Sequence, residues 1–190
     1  TSPCCGGRPL RSALVLDAVL FDLDGTLTDP EEGIVGSFRH AMEGVGHPVA
    51  DDVDLRWMIG PAIRDNFTRH GIPDHLHGEA VLAFRARHVE VGLFQAELIV
   101  GVTEVLDALR ADGIRLALAT AKPVPQAITT LEHFDIADRF DVVAGGVADG
   151  IPRSKSVIVA DGLAQLGGPD PSGVAMVGDR LHDVEGGRAN

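Results

Sequence analysis

The stretch FDLDGTLTD, residues 21–29, puts two carboxylates, Asp22 and Asp24, two positions apart at the end of the apolar run Ala18 to Phe21. Acids this close repel each other unless something positive sits among them. Other reactive side chains follow at the ends of later apolar runs. LALATAK ends in Thr120 and continues to Lys122. The segment after FDVVAGG carries Lys155. VAMVGDRLHD supplies Asp179 and, four residues on, Asp183. Oxygen ligands in this number suit a hard cation. Mg2+ is the natural candidate, because it takes one or two carboxylates together with waters and phosphate oxygens. In Asp22 and Asp24 the alternation of a strand would place both side chains on one side, with the turn at Gly25 free to rotate the second.

The elements that must hold these residues are readable from hydrophobic periodicity. Ala18–Phe21 reads as a first buried strand. In PEEGIVGSFRHAMEGVG the apolar residues Ile34, Val35, Phe38, Ala41, Met42 and Val45 recur at helical spacing behind Asp29-Pro30 and two glutamates, a good helix start. DDVDLRWMI, PAIRDNFTRHG and HGEAVLAFRARHVEVG read as three more helices, and no strand pattern lies between residues 30 and 95. From residue 100 helices alternate with the apolar runs IRLALAT, FDVVAGG and GVAMVGD, the rhythm of a parallel sheet. The expected fold is therefore α/β, a Rossmann-like parallel sheet with an all-helical cap inserted after the first strand. Residues 1–29 and 96–190 would form the core and 30–95 the cap. In open parallel sheets ligands bind beyond the carboxyl ends of the strands, where the acids, the threonine and the lysine gather.

The 190 residues allow one domain with a full core and a small insert. A formal net charge of −12 argues against a nucleic-acid polymer or an anionic membrane as partner, but not against a small phosphorylated substrate. The only cysteines, Cys4 and Cys5, are adjacent, which excludes a disulfide scaffold and points to a reducing, cytoplasmic setting. They are expected to be inert members of a flexible tail over residues 1–12. The apolar runs are broken by charges well short of a membrane span. The histidines show no metal-ligand spacing, and His75 and His77 are expected at the surface.

The four motifs together, FDLDGTLTD, LALAT, RSKSVI and MVGDRLHD, resemble in type and order those of the haloacid dehalogenase superfamily, over residues 16 to 190. The resemblance implies that Asp22 is the nucleophile and Asp24 the general acid and base. It implies that Mg2+ is held by Asp22, the main-chain carbonyl of Asp24 and Asp179, with Asp183 orienting the metal's water shell. Thr120 and Lys155 would bind the phosphoryl oxygens. Lys122 is expected to pack near the motif or face solvent. With an acid at position 24 the chain resembles the phosphatase side of the superfamily. TDPEEGIVGSFRHAM, IGPAIRDNF, ATAKP, LEHFDI and VGDRLHD look like the phosphoglycolate phosphatase and 5′-nucleotidase-like branch, although Ala121 replaces the serine usual in the latter.

The resemblance thus implies a Mg2+-dependent phosphatase for a small phosphomonoester, as a monomer or homodimer. Its alternatives are a phosphomutase and a truncated, non-catalytic relative that binds metal and phosphate. Arg64 and Arg85, and also Arg56 and His88, are candidate cap contacts to the distal part of the substrate. Members of the family continue past the fourth motif with a further strand and helix, so a chain ending at Asn190 is expected to be shortened and to expose a sheet edge.

Overall fold

The computed structural model describes residues 16–147 and 153–190. The cysteine pair and the expected tail lie outside the described residues. The sheet is built from β1 (Ala18–Phe21), β4 (Arg115–Pro123), β5 (Val142–Gly146) and β6 (Val174–Val177). All are parallel, in the order β5-β4-β1-β6. The two central strands are those with the most continuous apolar runs, as burial on both faces requires. Their alternation separates the faces. Val19, Phe21, Leu116 and Leu118 pack with Leu106 of α4 (Val102–Ala111) and Leu131 of α5 (Val124–His133). Ala18, Leu20, Ala117 and Ala119 pack with Ile158 and Val159 of α6 (Lys155–Gln165). A final helix, α7 (Leu181–Arg188), follows β6. β6 is an edge strand, and its outer side pairs with no other described strand.

Residues 30–95 contain no strand and carry a hydrophobic core of their own, around Phe38, Met42, Leu55, Met58, Phe67 and Phe84. It is formed by α1 (Glu31–Gly44), α2 (Ile63–His70) and α3 (His77–Glu90), with Leu55 and Met58 added from the connection between α1 and α2. Helix α1 starts as expected: the Asp29 carboxylate accepts the Glu31 amide at 3.0 Å. Two connections join this segment to the sheet, and they pair as a short antiparallel ribbon of β2 (Thr28–Asp29) and β3 (Glu97–Leu98).

Two expectations are corrected. DDVDLRWMI is not a helix: only Arg56–Met58 form a 3-10 turn. The reason is Arg39, whose guanidinium donates to the carbonyls of Val49, Ala50, Asp51 and Val53 at 2.6–3.2 Å. Carbonyls satisfied by a side chain need no helical amide, so the loop stands without becoming a helix. His77 is not at the surface but buried, its Nε2 3.1 Å from the Ile72 carbonyl and its ring near Phe67. His75 is exposed.

Candidate active site

Strand β1 runs between β4 and β6 and delivers Asp22 to the carboxyl edge of the sheet, where its amide continues the ladder by donating to the Val177 carbonyl at 2.9 Å. The chain then turns. The amides of Thr26, Leu27 and Thr28 converge on the Leu23 carbonyl, and Gly25 takes φ +89°. A side chain there would be doubly excluded, because a Cβ would lie 2.6 Å from Asp179 Oδ2. This glycine lets the β1 turn close onto the loop after β6.

The turn separates the two acids that alternation alone would have left together. Asp22 Oδ1 lies 2.8 Å from Lys155 Nζ, with side-chain exposures of 9% and 8%. Asp24 Oδ1 lies 2.8 Å from a different lysine, Lys122. Lys155 opens α6 behind the N-cap Ser154, whose side chain accepts the Val157 amide. Its ammonium makes two further contacts, to Asp183 Oδ1 at 2.8 Å and to the Ala119 carbonyl at 2.9 Å. Asp183 is buried at the start of α7, and its Oδ2 accepts the Arg180 amide at 3.1 Å. Thr120 is buried near the end of β4; its hydroxyl oxygen accepts the Lys122 amide at 3.2 Å, which leaves its own proton to donate.

Carboxylate oxygens of Asp22, Asp179 and Asp183 all lie within 4.8 Å of one another. Lys155 faces Asp22 and Asp183, and Arg180 Nε lies 3.7 Å from Asp179 Oδ2, so these three acids keep an excess of one negative charge, while the Asp24–Lys122 pair is neutral by itself. Burial pushes the Asp22 carboxyl above the ordinary carboxylate range; Lys155 opposes this and the Asp183 charge adds to it. An all-oxygen donor set with that charge excess fits a hard divalent cation. Asp183 Oδ2 accepts the Arg180 amide, and its buried Oδ1 has the Lys155 charge at 2.8 Å but makes no hydrogen bond, an oxygen that a bound cation or its water shell would satisfy. The Asp24 carboxylate is outside the cluster.

The other expected residues are dispersed. Arg64 and Arg85 are exposed on α2 and α3. Arg56 pairs with Glu31 at 2.9 Å. His88 is buried on α3, stacked on Phe84 at 5.3 Å. Burial is the main reason that its pKa falls to about 4, and the nearby Lys122 cation adds to the effect. Of the two expectations for Lys122, packing near the motif holds: its side chain is 7% exposed and lies against Asp24. One contributor is not legible in the sequence. Arg180 reaches from the Asp179 loop to the Ile59 carbonyl of the helical segment at 2.5 Å, filling space that a Cβ on Gly60 would need. Its position directly after Asp179 was the one available signal.

Known proteins resemble this chain in sequence and fold. The family model for haloacid dehalogenase-like hydrolases matches residues 19–190. Tyrosine-protein kinase PtkA of Mycobacterium tuberculosis is 42% identical over 90% of this chain, which spans 58% of that relative's length. A solved PtkA structure superimposes with a TM-score of 0.82 at 41% identity, covering 93% of this chain and 81% of the other. A 5′-nucleotidase of Pseudomonas aeruginosa is 35% identical over 94% of this chain and 81% of its own length. A phosphoglycolate phosphatase of Chromobacterium violaceum is 30% identical over 92% and 81%. Placed by its four motifs, its carboxylate-lined sheet edge and these matches, the chain belongs to the haloacid dehalogenase-like hydrolases.

Proposed function

We propose that the chain is a Mg2+-dependent phosphatase that hydrolyses a small phosphomonoester through an aspartyl-phosphate on Asp22. The observation that carries this reading is the separation of two carboxylates onto two lysines. Asp22 sits with Lys155 inside the acidic cluster, and Asp24 stands apart on Lys122. A nucleophile and a proton carrier need such different surroundings.

In this reading an Asp22 oxygen attacks phosphorus, and the bond from phosphorus to the ester oxygen breaks. Asp24, having taken up a proton from solvent or from the substrate monoanion, gives it to the leaving oxygen. Asp24 then takes a proton from water as the water oxygen attacks phosphorus, which frees Asp22 and inorganic phosphate. Lys155 offsets the repulsion between Asp22 and the phosphoryl group, and the Thr120 hydroxyl donates to a phosphoryl oxygen. Asp22, Asp179 and the Asp24 main-chain carbonyl would hold Mg2+, with Asp183 behind them; when bound, the ion supplies charge stabilisation to the phosphoryl oxygens. Residues 30–95 act as a cap over this edge, with Arg180 bridging cap and core, and Arg64 and Arg85 as candidates for the distal part of the substrate.

The relatives named 5′-nucleotidase and phosphoglycolate phosphatase support a phosphorylated metabolite as substrate. A second reading, phosphoryl transfer to a tyrosine, is favoured by the 42% identity to a protein named tyrosine-protein kinase. These 190 residues contain no tyrosine, so a tyrosyl acceptor would lie outside them. The test is phosphate release from a panel holding phosphoglycolate, nucleoside monophosphates and sugar phosphates, with Mg2+ or with a chelator. Mg2+-dependent release is the expected result. Conversion of glucose 1-phosphate to an isomer would indicate a mutase, and phosphorylation of a tyrosine peptide without release would indicate the second reading. Tight binding without turnover would leave only a binding role.

A further inference from the structure

We propose that Lys122 is a positioning residue for proton transfer: it holds the Asp24 carboxyl in the orientation that serves the leaving oxygen. This rests on the phosphatase reading above, in which Asp24 carries the proton. The first observation is the contact itself. Lys122 Nζ lies 2.8 Å from Asp24 Oδ1, with side-chain exposures of 7% and 22%. Oδ2 of Asp24 makes no hydrogen bond to any described residue. A carboxyl fixed by one oxygen and open at the other is arranged for proton exchange.

The second observation is that the backbone is shaped to deliver this lysine. Strand β4 pairs with β5 in regular register up to Thr120 and Gly145, then shifts so that Pro123 faces Gly146. Ala121 and Lys122 are the extra residues of this irregularity. A bulge of this kind re-aims a side chain, and such bulges concentrate beside active sites. The partner strand is adapted to it. A Cβ on Gly145 would lie 2.8 Å from the Lys122 carbonyl, and one on Gly146 would overlap the Ala121 carbonyl. The Lys122 amide is tied back to Thr120 Oγ1 at 3.2 Å, and Pro123 at once caps α5. The same short stretch thus sets both the hydroxyl offered to the phosphoryl group and the lysine on Asp24.

The third observation is that the other lysine of the site is already engaged. Lys155 cannot replace Lys122, since its ammonium is shared among Asp22, Asp183 and the Ala119 carbonyl.

A merely structural ion pair and a positioning residue predict different kinetics. Proton donation matters greatly when the leaving group is an alkoxide and little when it is p-nitrophenolate. The experiment compares p-nitrophenyl phosphate with an alkyl phosphate, using wild type, Lys122→Met, Lys122→Arg and Asp24→Asn with Mg2+. For Lys122→Met, kcat on the alkyl phosphate is expected to fall at least about 10-fold further than on p-nitrophenyl phosphate, with KM little changed. Asp24→Asn should show the same bias more strongly, and Lys122→Arg should recover much of the loss. Equal losses on both substrates, or no loss in a folded Lys122→Met protein, would overturn the proposal. If Lys122→Met does not fold, an unbiased loss in Lys122→Arg does the same. Release that survives Asp22→Asn, or is absent in wild type, would instead overturn the phosphatase reading beneath it.

Discussion

The Asp22–Lys155 and Asp24–Lys122 pairs have the same chemistry and the same 2.8 Å separation, yet they sit in different electrical settings. The first shares its lysine with Asp183 and lies within a cluster short of positive charge. The second is a self-neutral pair whose acid is partly open to solvent. The difference comes from the backbone. A regular strand end and a helix start fix the first pair, whereas a glycine turn and a strand bulge fix the second. One strand terminus can thus carry two carboxylates with different tasks, provided each acid meets its own cation.

Removing the lysine from each pair should expose this difference. Lys155→Met leaves Asp22 and Asp183 buried without their counter-ion. Unfolding in urea without divalent metal is expected to show a loss of about 3–5 kcal/mol. Added Mg2+ should return part of it, because the ion binds only the folded cluster. A loss under about 1 kcal/mol would mean that the cluster is not short of positive charge. His88, beside the second pair, should give a smaller and pH-dependent effect. Its pKa is near 4 in the folded chain, against an ordinary 6.5. The unfolded chain therefore binds the extra proton first, and wild type should lose up to about 3 kcal/mol as pH falls from about 6.5 to 4. His88→Phe should lack that part of the acid sensitivity; identical pH profiles for the two proteins would contradict the burial argument. Lys122→Met should have the smallest effect on stability, roughly 1 kcal/mol, because Asp24 can take up water.

Much of this arrangement was legible in the sequence because it rests on residue types at the ends of periodic runs. Asp22, Asp179, Asp183 and Lys155 meet since parallel strands and the helix after one of them end at a common edge. The four sheet strands and the helices α1 to α7 follow from apolar spacing in the same way. What escaped depends on contacts between distant residues. Arg39 claims the carbonyls of residues 49–53 and suppresses a helix that composition favoured. The burial of His77 depends on the Ile72 carbonyl and Phe67, and no periodicity reports such a partner. The β2–β3 ribbon is two residues long on each side, too short for an alternation to register. Lys122 was legible as a residue near the motif, but its pairing with Asp24 was not, because a bulge leaves no mark on periodicity.

The most direct test of the account is to trap the reaction midway. The protein is mixed with Mg2+ and a hydrolysed substrate carrying labelled phosphate, quenched in acid during turnover, and digested for mass spectrometry. Label on the peptide containing Asp22, as a hydroxylamine-sensitive acyl phosphate that is absent from Asp22→Asn, is the result expected. Turnover with no covalent label, or with label on another residue, would contradict the assignment of Asp22 as nucleophile.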